Sequence, residues 1–62
     1  MKTYRALVSG YDEDGNAVRS WFWISAETVG AARCEARLAA ADCDWEDIHV
    51  GVCQLDVRQL VR

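Results

Sequence analysis

Residues 3–11 alternate between apolar and polar side chains and are rich in strand formers, which predicts a half-buried strand, β1. Asp12-Glu13-Asp14-Gly15-Asn16 then interrupts the alternation as a turn, with Gly15 suited to the left-handed backbone region. A second strand, β2, follows over 17–25 and carries Trp21, Phe22, Trp23 and Ile24 in succession. Thr28 is placed to cap a helix, α1, over 29–41, with Gly30 a mild defect in its first turn. Residues 42–46 read as a loop. Residues 47–57, dense in β-branched side chains, read as a third strand, β3, and 58–62 as a short tail.

The hairpin register decides which residues share a face, because a slip of one exchanges the faces of one strand. A two-residue Asp14-Gly15 loop would place Ala6 and Val8 with Trp23 and Trp21. A three-residue Glu13-Asp14-Gly15 loop pairs Asp12 with Asn16, Tyr4 with Ile24, Ala6 with Phe22 and Gly10 with Val18. The second register is preferred. It gathers Tyr4, Ala6, Val8, Val18, Phe22 and Ile24 on one apolar face and uses the bulge turn that Gly15 favours. It also sets Arg5 opposite Trp23, a cation–π geometry, and Leu7 opposite Trp21.

Those tryptophans then lie on a face that one helix does not cover. Leu55, Val57, Leu60 and Val61 would close it if the tail folds over; otherwise it is a partner or dimer surface. On the helix, Ala31, Cys34, Leu38 and Ala41 make one stripe and Ala32, Ala36 and Ala39 a second, with Arg33 and Arg37 on the outer face. The right-handed crossover rule sets β3 beside β1. The expected architecture is a single α+β domain over 1–62: a three-stranded antiparallel sheet in the order β2-β1-β3, with one helix on one face. Its expected core is Tyr4, Ala6, Val8, Val18, Phe22, Ile24, Cys34, Leu38, Ile48, Val50 and Val52, with a bulge after Val52, where the apolar phase changes.

Composition narrows the function classes. A chain of 62 residues buries only about 60% of its unfolded surface. Hydrophobic content of 52% is too high for disorder, although six of the nine alanines fall between Ala31 and Ala41. No apolar run is long enough to span a membrane, and Met1-Lys2-Thr3-Tyr4-Arg5 has no secretory h-region behind it, so a cytoplasmic location is expected. Cys34, Cys43 and Cys53 show no CxxC spacing and read as reduced and mostly packed. A zinc site from Cys43, His49 and Cys53 matches no familiar ligand pattern. Seven basic against ten acidic residues give a net charge of -3, which argues against direct nucleic-acid binding.

The expected topology gathers those acids. The β1-β2 turn and the α1-β3 loop fall at one end, bringing together Asp12, Glu13, Asp14, Asp42, Asp44, Glu46 and Asp47, seven of the ten acidic residues. The negative end of the helix dipole points there too, so the clustering opposes stability. Solubility is one explanation and an irregular calcium site another, although 10–21 fails the EF-hand frame. Paired-carboxylate catalysis needs a pocket that solvated turns do not offer, so a non-enzyme without cofactor or metal is expected. The third explanation is mimicry: carboxylates standing in for phosphates against a basic protein surface, with Trp45 and Tyr11 as anchors.

A short acidic β-β-α-β chain with the Asp12-Glu13-Asp14-Gly15 hairpin, the Ala31–Ala41 helix and Trp45-Glu46-Asp47 leading into β3 resembles small phage-encoded inhibitors of the anti-CRISPR kind. That resemblance implies an inhibitor in the host cytoplasm that blocks a type I surveillance complex at its DNA-reading surface, with a Cas effector subunit as partner. Independently of it, the uncovered sheet face predicts a monomer or weak dimer, with the Trp21/Trp23 face as the contact in a dimer. A second likeness is to HicB-like antitoxins, which share the acidic hairpin turn and the Thr-capped, Ala-rich helix. Those place three strands before the helix, where this chain has room for two.

Overall fold

The computed structural model describes residues 1–56 and contains four elements in β-β-α-β order. They are β1 (Lys2–Tyr11), β2 (Ala17–Ala26), α1 (Val29–Asp42) and β3 (Glu46–Leu55). The strands form one antiparallel sheet in the order β2-β1-β3, with α1 against one face, so the chain is of the α+β class expected. β3 starts and stops earlier than its composition suggests, and Val57, its expected end, lies outside the described residues together with the 58–62 tail.

β1 and β2 pair through ten residues without a slip, with Tyr4 against Ile24, Ala6 against Phe22 and Gly10 against Val18. This is the register of the three-residue loop. The Asp12 N–H donates to the Asn16 carbonyl and the Gly15 N–H to the Asp12 carbonyl, both at 3.0 Å. Gly15 has φ 81°, which glycine adopts without the Cβ penalty of other residues. The Asp12 carboxylate closes the turn by accepting from the N–H groups of Asp14 and Asn16, each at 2.9 Å.

The core is built around β1. Tyr4, Ala6 and Val8 are buried in alternation and meet Val50 from β3 and Ala32, Ala36 and Ala40 from α1. The helix is rotated relative to the expected stripe. Cys34 is exposed and Leu38 is 59% exposed, so neither belongs to the core. Alanines face the sheet because they let the helix backbone approach it closely, whereas a leucine there would hold the two layers apart. Bulk comes from elsewhere: Phe22 and Trp45 meet edge to face, with ring centroids 5.7 Å apart and planes at 88°.

β3 pairs with β1 through two bulges. Gly51 and Val52 stand against Leu7, and Asp47 and Ile48 against Gly10. The first bulge falls one step earlier than expected. Val50 is therefore buried and Cys53 half-buried on the helix side, while Val52, expected in the core, is 46% exposed. The second bulge holds Asp47 at φ 52° and brings the strand backbone onto Gly10. A Cβ at Gly10 would sit 2.9 Å from the Glu46 carbonyl oxygen and 3.5 Å from the Trp45 Cβ, so only glycine fits without a shift.

Candidate functional site

Tyr11, the last residue of β1, lies opposite Glu46, the first of β3. This pairing brings the β1-β2 turn and the α1-β3 loop to the same end. Glu13 from the turn and Asp44, Trp45 and Glu46 from the loop line one shallow hollow with Ala41. The helix ends above it. Its cap residue Cys43 donates its N–H to the carbonyls of Ala40 and Ala41, and the Asp44 N–H reaches the Ala41 carbonyl at 2.9 Å. Asp44 has φ 65°, the left-handed position after a helix that glycine usually fills. The last turn of α1 holds no basic residue, so the negative end of the dipole adds to the carboxylates rather than being offset.

The expected site residues divide into groups. Glu13, Asp44, Glu46 and Trp45 share the hollow just described. Tyr11 and Asp47 instead line a second groove on the open sheet face, together with Ser9, Arg19 and His49. Asp14 and Asp42 are exposed and line neither of these. Asp12 is half-buried, with one carboxylate oxygen committed to the turn. Trp45 is half-buried against Phe22 and the Gly10 backbone, so it fills the core with its body and offers the hollow only part of its ring.

On the open sheet face, Arg5 stands opposite Trp23 as expected, and its guanidinium carbon lies 5.3 Å from the centre of the Trp21 ring, a cation–π contact. The Trp23 indole N–H donates to the Asp56 carboxylate at 3.0 Å. Asp56 is 3% exposed, and its own N–H donates to the Thr3 carbonyl at 3.0 Å. Trp21 and Trp23 remain 39% and 52% exposed. Of the apolar residues expected to cover them, Leu55 pairs with Tyr4 and so shares the helix face, and Val57, Leu60 and Val61 lie outside the described residues.

Sequence reasoning missed two residues. Arg33, expected on the helix's outer face, reaches back to the outer strand β3 and donates to the Gly51 and Val50 carbonyls at 3.1 and 2.7 Å. Its only sequence signal is a position four residues after Val29, level with a bulge that composition does not reveal. Asp56 carries no signal at all, since it is a lone acid after an apolar strand. Burial pushes the Cys53 thiol up from its ordinary range, and the Arg33 charge partly opposes this. Cys34, expected to be packed, is exposed, as is Cys43.

Among the described residues, no three His, Cys, Asp or Glu side chains come together in a way that could hold a metal ion, which leaves both the zinc and the calcium alternatives without a ligand set. No described helix is long and apolar enough to cross a membrane. No family model, curated protein or solved structure matches the chain.

Proposed function

We propose that this chain is a small, non-enzymatic protein-binding inhibitor, of the phage-encoded anti-CRISPR kind that its layout resembles. Its acidic end occupies the basic DNA-binding surface of a surveillance-type complex in the host cytoplasm. The observation that carries this reading is the shared hollow, where Glu13, Asp44 and Glu46 surround part of Trp45 below the negative end of α1. Carboxylates held there present charge as a row of phosphates would, and displacing counterions from the partner's Lys and Arg side chains drives association. The exposed part of the Trp45 ring gives the contact an apolar centre. Asp44 supports the same reading: the chain keeps an acid where glycine would relieve backbone strain and where the helix dipole disfavours negative charge.

The test uses a purified type I surveillance complex with labelled target DNA. The chain is expected to displace the DNA, and Glu13→Lys with Asp44→Lys is expected to weaken displacement at least about tenfold at low salt. A chain that leaves DNA binding untouched at saturating concentration would contradict the reading. A tight complex with a small cognate RNase would favour the antitoxin alternative, which the two strands before α1 argue against.

A further inference from the structure

We propose that the outer edge of β2 is a self-association surface, and that a second copy of this chain pairs with it antiparallel to form a continuous six-stranded sheet. This goes beyond the inhibitor reading and does not depend on it.

Three observations carry the proposal. First, the two outer strands are finished differently. β3 is bulged twice, and Arg33 occupies two carbonyls on its edge, devices that discourage further pairing. β2 runs straight through ten unshifted pairs, contains no proline and carries one charge, Arg19. Among the described residues no strand pairs with its outer side. Secondly, of the apolar residues that β2 turns toward the helix only Ala26 is buried, while Val18, Phe22 and Ile24 are half-buried, so the core is incompletely closed along most of this edge.

Thirdly, the strand is self-complementary. A two-fold axis perpendicular to the sheet keeps both helices on one side and pairs residues of like face. Centred on Trp21, it sets Arg19 opposite Trp23 of the second copy and Val18 opposite Ile24. The single charge of the strand then meets an indole rather than its own equivalent. The acidic turn lies beyond the Ala17 end of β2, so antiparallel pairing sends the two acidic ends to opposite extremes of the dimer. Joining the edges also extends the core layer over the half-covered residues.

Sedimentation across about 1 μM to 1 mM tests this. The wild-type chain is expected to move from the mass of one chain toward that of two. Ser20→Lys is the breaking variant: Ser20 is exposed in the monomer, but a second copy would set its side chain opposite Phe22. It is expected to weaken dimerisation at least about tenfold, as a lysine on a sheet edge does. Val52→Lys, at the first bulge of β3, is expected to leave the dimer unchanged. Wild-type protein that stays at the mass of one chain overturns the proposal. So does a dimer that survives Ser20→Lys, or one that Val52→Lys dissolves equally. Should Ser20→Lys fail to fold, hydrogen exchange of the wild type decides: β2 amides gain protection with concentration if the edge pairs, and show no concentration dependence if it does not.

Discussion

β2 and β3 flank the same central strand and are built to opposite plans. β2 keeps a regular register over its whole length and leaves Val18, Phe22 and Ile24 on its helix side half-covered. β3 gives up regularity twice, and each bulge places something. The first turns Val52 outward and stands beside the carbonyls that Arg33 takes; the second sets Asp47 in a left-handed conformation and tucks the Glu46 carbonyl against Gly10. Irregularity in this small sheet is therefore concentrated on the strand that leads out of the acidic end. The straight strand is the one whose outer edge no strand among the described residues pairs with.

Four measurements probe how the two strands and the acidic end are held. The largest effect is expected at Gly10, which faces β2 on one side and the second β3 bulge on the other. Gly10→Ala should destabilise by about 2 kcal/mol in urea denaturation, because the added methyl meets a backbone carbonyl that cannot swing aside. A loss below about 0.5 kcal/mol would mean that the bulge is soft. Arg33→Ala should cost about 1 kcal/mol through the two carbonyl bonds it abandons. Arg37→Ala should stay within about 0.5 kcal/mol, and equal losses would show that the clasp contributes nothing.

Asp44→Gly is expected to stabilise the fold by about 0.5 kcal/mol, by relieving a positive φ and removing a charge from the negative end of the helix. If it also weakens partner binding, stability and function oppose each other at that position. The smallest effect is a slope. Burial raises the Cys53 thiol above its ordinary value of 9.0, against partial opposition from Arg33, so the unfolded chain gives up this proton at lower pH than the folded one. The resulting stability is complete below the ordinary thiol value and is lost as pH rises through the folded one. Cys53→Ala should flatten urea midpoints measured across that alkaline window, and an unchanged slope would mean that the thiol contributes nothing.

The hairpin was legible because two signals agree: the alternation of Tyr4, Ala6 and Val8, and a glycine placed for a left-handed turn residue. The phase of the helix was not. Its only large residue near the expected stripe is Leu38, and hydrophobicity ranks leucine above alanine. Burial against a sheet rewards the small side chain that permits close approach, so Ala32, Ala36 and Ala40 face inward. The gathering of acids at one end could be read from the crossover rule and two acidic loops. What could not be read was how the β3 bulges distribute them. Asp47 and Tyr11 line one groove and Glu13, Asp44 and Glu46 another, while Trp45 packs over Gly10 against the core.

Binding of a basic surface by carboxylates of the acidic end, as proposed, requires the affinity for a type I surveillance complex to depend on salt. Wild-type affinity is expected to fall steeply and linearly on a logarithmic salt axis as counterions return to the partner. Glu13→Lys with Asp14→Lys is expected to weaken binding strongly at low salt and to flatten that line, because fewer counterions are then exchanged. An affinity indifferent to salt, or a greater loss from Trp21→Ala than from the charge reversals, would place binding on the open sheet face and rule out mimicry by the acidic end.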